Sequence, residues 1–184
     1  MTTKTIAFLV AAEGIEQVEL TQPWQAVIDA GGTPELLSPV GAGGTVQAFD
    51  HLTAADTFTV DTTVSSAAVA DYDGLVLPGG VANPDALRLD GSAVQFVKEF
   101  TEAGKPVAAV CHASWTLVEA GVVGGKTLTS WPSLATDLKN AGAADWVDQE
   151  VVVCPANGWT LVSSRNPDDL PAFNAALVQA FGLG

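Results

Sequence analysis

Short, unbroken runs of Val, Ile and Leu, separated by helical patterns, constrain this chain more than any other feature. The runs at 6–10, 75–77, 107–110 and 151–153 lack the polar alternation of a strand with one wet face. Runs buried on both faces are typical of parallel strands covered by helices on either side. Between them, helical periodicity predicts helices over 16–30, 92–103, 112–120, 133–140 and 168–181, and Gly31, Gly104, Gly121 and Gly142 stop four of these. The alternation predicts a doubly wound α/β fold with a mainly parallel sheet. Residues 45–61 differ, because polar and apolar residues alternate on both sides of a turn-like stretch. That pattern predicts a β-hairpin or edge pair added to the main sheet. At 184 residues the chain is expected to form one domain, 1–184, large enough to bury its core without staples.

Charge narrows the function classes. The formal net charge is −14, from 21 acidic residues against seven Lys and Arg. A nucleic-acid binder needs a basic footprint and anionic membranes attract basic segments, so neither partner is expected. The acid excess serves solubility. Two cysteines, Cys111 and Cys154, make no disulfide framework. The apolar start after Lys4 faintly imitates a leader, but it is short and Glu13 follows directly; a first buried strand accounts for it better. No run approaches the roughly 18 apolar residues of a membrane span. The expected setting is a reducing cytoplasm, where a lone thiol stays active. The Gly41-Ala42-Gly43-Gly44 segment lacks the lysine of a phosphate loop and reads as a flexible turn.

Cys111 stands between the run at 107–110 and the helical pattern that follows, with His112 next to it. A residue there lies on a tight strand-to-helix turn, its side chain projecting from the sheet edge towards the positive end of a helix. Such a thiol is expected to ionise readily, and the thiolate is the nucleophile. The His112 N–H is half of a candidate oxyanion hole, and its imidazole is a candidate base or acid. The glycine-rich turn Pro78-Gly79-Gly80, after another apolar run, offers the second donor at Gly80. Glu13, Glu16 and Glu19 cluster after the first run, on the sheet edge that Cys111 shares. Glu16 is taken as the carboxylate near the thiol, although acids at a helix start are favoured by the dipole alone. Cys154 reads as a buried structural thiol and His51 as a surface or structural histidine. Two histidines and two separated cysteines indicate no metal cluster, and no cofactor is expected.

Several stretches together resemble the ThiJ/PfpI superfamily, in particular its intracellular protease I and general-stress-protein branch. They are Glu13-Gly14-Ile15-Glu16-Gln17-Val18-Glu19-Leu20, Val76-Leu77-Pro78-Gly79-Gly80, Gly104-Lys105-Pro106-Val107-Ala108-Ala109-Val110-Cys111-His112, Asp148-Gln149-Glu150-Val151-Val152-Val153 and Ser163-Ser164-Arg165-Asn166-Pro167-Asp168-Asp169-Leu170-Pro171-Ala172-Phe173. The resemblance implies a flavodoxin-like three-layer sandwich, also described as class I glutamine amidotransferase-like. It implies Cys111 as nucleophile, His112 as its partner, Glu16 beside the thiol, and Gly80 with His112 as oxyanion donors. It further implies a homodimer or higher oligomer in which Asp85 reaches the histidine of a neighbouring subunit. Ala113-Ser114 departs from the Gly-Pro of many relatives. The activity implied is a cysteine-dependent hydrolase of small carbonyl or acyl compounds, glyoxalase- or deglycase-like. A cysteine peptidase acting on short peptides is the second reading. A redox-sensing or chaperone-like protective protein with little turnover is the third. Glutaminase activity is not expected, because it needs a second catalytic histidine late in the chain.

Overall fold

Twelve strands and six α-helices are present among residues 3–184, which a computed structural model describes; Met1 and Thr2 of the leader-like start lie outside them. In chain order the strands are β1 (Thr5–Leu9), β2 (Glu13–Glu16), β3 (Thr33–Ser38), β4 (Thr45–Asp50), β5 (Thr53–Thr59), β6 (Thr62–Thr63), β7 (Gly74–Leu77), β8 (Val107–Val110), β9 (Thr127–Leu128), β10 (Asp145–Trp146), β11 (Val151–Cys154) and β12 (Leu161–Ser164). The helices are α1 (Gln17–Asp29), α2 (Ala82–Leu87), α3 (Gly91–Glu102), α4 (Ser114–Glu119), α5 (Ala135–Asn140) and α6 (Leu170–Ala180).

The apolar runs are explained by two cores, one on each face of a seven-stranded sheet in the order β11-β12-β8-β7-β1-β3-β6. Successive residues of a strand face opposite ways. Ala7, Leu9, Leu75, Leu77, Val107 and Ala109 therefore enter one core, with Phe96 and Phe100 of α3 and Leu117 of α4. Ile6, Phe8, Val10, Val76, Ala108 and Val110 enter the other, with Leu20 and Val27 of α1 and Phe173 and Leu177 of α6. Neither set of positions meets water, so neither carries polar residues. The result is the expected flavodoxin-like three-layer sandwich. β1 pairs in parallel with β3 on one side and β7 on the other, and β7 pairs in parallel with β8. The carboxyl ends of β1, β7 and β8 thus open side by side, where open α/β sheets hold their ligands.

Two expectations are corrected. The hairpin forms, as β4 and β5, but it joins β2 in a separate three-stranded sheet instead of extending the main one. Its alternation gives one buried face, Val46 and Ala48, which packs with Ile15 against the α1-side core. The run at 151–153 is an edge strand, antiparallel to β12, and Val153 is exposed. Strands β3 and β12 carry no apolar-run signal. β3 contains Pro34 and Glu35, and half of β12 is Ser163 and Ser164, both fully buried. Those serines satisfy their hydroxyls: Ser163 Oγ accepts from the Thr129 N–H at 3.0 Å and Ser164 Oγ donates to the Glu150 carbonyl. α2 is short and contains Pro84, which hides it from periodicity. No helix among the described residues is long and apolar enough to cross a membrane.

Candidate active site

Cys111 follows the fully buried β8 and opens a single 3-10 turn that leads into α4, the strand-to-helix elbow expected of it. Its φ is +61°, in the left-handed region. For a residue with a Cβ that conformation costs about 1–2 kcal/mol, so its surroundings must hold it. The Trp131 N–H donates to the Cys111 carbonyl at 3.0 Å. Gly79 packs against the elbow so closely that a Cβ there would lie 2.6 Å from Cys111 Cβ, 2.8 Å from the Val110 oxygen and 2.3 Å from a Glu19 carboxyl oxygen. Only glycine fits.

Gly80, at φ +83°, comes equally close to the first βα loop: a Cβ on it would meet the Gly14 oxygen at 2.1 Å. The Gly80 and His112 amides both face the Cys111 sulfur. The turn that aims Gly80 is held by Asn83, which is buried. Asn83 accepts from the Ala11 N–H at 2.7 Å and donates to the carbonyls of Pro78 and Gly79 at 2.8 and 3.1 Å. One side chain therefore ties the end of β1 to the turn after β7.

The carboxyl at the thiol belongs to Glu19, and Glu16 is corrected in that role. Glu19 is fully buried, with Cys111 and the Gly79 and Gly80 amides as its polar neighbours. Neither of its oxygens closes a hydrogen bond of ordinary geometry, so these contacts are loose and desolvation dominates. Burial first, and the nearby charge of Glu16 second, push the Glu19 carboxyl up to about 8. Glu16 ends β2 before α1 begins, and its carboxyl turns to the β4–β5 turn, accepting from the His51 N–H at 3.1 Å. The sequence holds the distinguishing signal: Glu19, Pro23 and Val27 recur at helical spacing on the buried stripe of α1, and Glu16 precedes the helix.

His112 brings its imidazole, and not its N–H alone, to the thiol. Its Nδ1 lies 3.1 Å from Cys111 Sγ. The ring sits between Trp131, stacked at 5.5 Å and 23°, and Trp115 at 5.2 Å. Burial pushes this imidazole below the usual histidine range, so it is neutral at neutral pH. The thiol itself contradicts the expectation of ready ionisation. Burial, and then the charge Glu19 carries when ionised, push it up, while the Gly80 and His112 amides pull it down. A proton on Glu19 removes the second of these opposing effects.

The site opens into a cavity of about 420 Å³ between the βα loops and the β4–β5 turn. Asp85 is exposed in the first turn of α2 and does not line the cavity. His51 is exposed, as expected of a surface histidine, at φ +55° on the cavity rim. One atom each of Glu16, Asp50 and His51 lies within 4.8 Å of the others, a set compatible with a metal ion that the sequence reading did not anticipate. Cys154 is buried far along the sheet edge, where its sulfur accepts from the Thr127 N–H at 3.4 Å. Beside it Lys126 is also fully buried, its Nζ donating to the carbonyls of Cys154, Ala156 and Trp159 and lying 3.7 Å over the Trp159 ring.

The family model described as DJ-1/PfpI family matches residues 4–180. Protein/nucleic acid deglycase 2 of Escherichia coli (strain K12) is 45% identical over 93 residues, which is 50% of this chain and 52% of that protein. General stress protein 18 of Bacillus subtilis (strain 168) is 48% identical over 85 residues, 46% of this chain and 47% of that protein. The chain thus spans about half the length of the curated relatives it matches. Among solved structures, a two-domain protein with DJ-1/ThiJ/PfpI-like and ferritin-like domains from Anabaena variabilis aligns with a TM-score of 0.88 at 31% identity, covering 99% of this chain and 49% of that one. DJ-1beta of Drosophila melanogaster aligns with a TM-score of 0.83 at 26% identity, covering 98% and 92%.

Proposed function

Because the chain belongs to the DJ-1/PfpI family, we propose that it is a Cys111-dependent hydrolase of small carbonyl and acyl compounds, of the glyoxalase or deglycase kind. Relatives named deglycase, general stress protein and putative cysteine protease support a stress-related enzyme family. The observation that carries the reading is the sulfur at the left-handed elbow, with a neutral imidazole nitrogen 3.1 Å away and two amides facing it. In this reading the thiol proton passes to His112 Nδ1 as the sulfur adds to the substrate carbonyl carbon. The carbonyl π pair moves onto oxygen, which the Gly80 and His112 N–H groups then stabilise. Glu19, holding its proton up to about 8, adds no negative charge beside the forming adduct. A cavity of about 420 Å³ suits small substrates better than the extended chains a peptidase binds. In the same reading the protein works in the cytoplasm as a homo-oligomer, with Asp85 offered to a neighbouring subunit's site.

The test is a substrate panel of methylglyoxal, glycated amino acids and short peptides, run on the wild type beside Cys111→Ala. Turnover of the aldehydes or adducts that disappears in Cys111→Ala is the expected result. Full activity in that variant refutes the mechanism. A protein that turns over nothing but gains oxygen selectively at Cys111 under mild peroxide belongs to the redox-sensing reading instead.

A further inference from the structure

The mouth of the Cys111 cavity carries charge of one sign. Glu13 and Glu16 line it, and Asp50, exposed just outside the lining, has its Oδ1 3.7 Å from Nδ1 of the lining His51. Deeper in, the buried Glu19 carboxyl lines the same cavity with neither oxygen in a hydrogen bond of ordinary geometry; keeping its proton, it is a polar group in the wall and adds nothing to the charge at the mouth. No Lys or Arg lines the cavity among the described residues. Most of the chain's few cations are committed elsewhere. Arg88 pairs with Glu119, and Arg165 pairs with both Asp148 and Asp169. Lys4, Lys105 and Lys126 donate to backbone carbonyls. At the opening itself, among the described residues, His51 alone can offset these acids, its Nδ1 lying 3.5 Å from Glu16 and 3.7 Å from Asp50, and it does so only when protonated; the whole-chain charge of −14 adds to their field. A low-dielectric cleft lined with one sign of charge concentrates that field and changes the rate at which charged molecules enter. The apolar part of the wall suits the same visitors, because Trp131 is 39% exposed there and an aromatic face attracts cations.

We propose that this mouth is a charge filter. It admits carbonyl compounds that are neutral or carry an ammonium or guanidinium group, and it turns away α-oxo acids and adducts borne on phosphate polymers. The filter rests on the reading of Cys111 as the reactive group. It goes beyond that reading in naming Glu13 and Glu16 as the residues that select by charge.

The test reads access to the sulfur without requiring turnover. Three methanethiosulfonates are used: aminoethyl (cationic), methyl (neutral) and sulfonatoethyl (anionic). Each transfers its thioalkyl group to Cys111 as methanesulfinate leaves. Rates are followed by intact mass, located by peptide mapping, and divided by those for a small neutral thiol. At low salt the normalised cationic rate should exceed the anionic rate by about tenfold or more. The ratio should shrink towards one at high salt, where screening acts within a few ångströms, and in Glu13→Gln and Glu16→Gln. Equal normalised rates, a faster anionic reagent, or a ratio indifferent to both salt and these substitutions overturns the filter while leaving Cys111 as nucleophile. A Cys111 that none of the three modifies overturns the filter and the nucleophile together.

Discussion

Replacing Glu19 by Gln tests whether the buried carboxyl keeps its proton in the folded protein. The amide has nearly the same shape and cannot ionise, so the variant keeps the packing and loses the titration. In the native protein this carboxyl rises from 4.5 to about 8, chiefly by burial. At about 1.4 kcal/mol per pH unit, ionising it in the folded state costs on the order of 5 kcal/mol. The sign follows from linkage: between 4.5 and about 8 the folded protein binds a proton that the unfolded chain has released. The stability that this proton maintains is complete at the acid end and is lost as pH rises through the window. Urea unfolding of wild type and Glu19→Gln, followed by Trp fluorescence from pH 4.5 to 8.5, isolates the effect, because other titrating groups cancel in the difference. Glu19→Gln should gain on the wild type steadily with pH, most of the gain being present by pH 7. A difference that stays flat, or that runs the other way, means the carboxyl is ionised in the fold and refutes the reasoning.

Gly79→Ala should cost about 1–3 kcal/mol from overpacking, since its Cβ would meet Glu19 and Cys111 at 2.3 and 2.6 Å; thermal denaturation measures this, and Cys111 alkylation should slow as the elbow shifts. Asn83→Ala leaves the Ala11 N–H without its partner and frees the turn carrying Gly80; turnover should fall further than substrate affinity, which a kcat and KM comparison checks. Lys126→Met leaves the carbonyls of Ala156 and Trp159 unpaired in the interior; a loss of about 3 kcal/mol lowers Tm by roughly 6–12 °C in a chain of this size. The His112 imidazole should titrate in NMR spectra below the ordinary 6.5, because burial disfavours its charged form; a midpoint above that value contradicts the neutral base assumed for it.

Features set by local pattern and those set by distant contacts part company at particular residues. Leu75, Val76 and Leu77 announce a strand buried on both faces, because every position must be apolar when both sides meet a core. Cys111 announces its elbow, since the change from a strand run to a helical pattern happens at that residue. The β12 strand stayed hidden because Ser163 and Ser164 find hydrogen bonds only after Thr129 and Glu150 arrive from elsewhere in the chain. The hairpin's alternation foretold strands with one buried face but not their partner, which proved to be β2 and not the main sheet.

The choice between Glu16 and Glu19 shows the same boundary. From the amino-acid order alone came the sandwich, the thiol at a sheet edge, the glycine turn opposite it and an acidic loop on the same side. Each follows from hydrophobic period, turn chemistry or chain topology, which act over neighbouring residues. Which glutamate touches the sulfur, that His112 reaches it with a ring nitrogen, and that the thiol is pushed up by burial came only from the tertiary structure. Desolvation and contact depend on how α1, β7 and β8 pack together, and no stretch of sequence contains that distance.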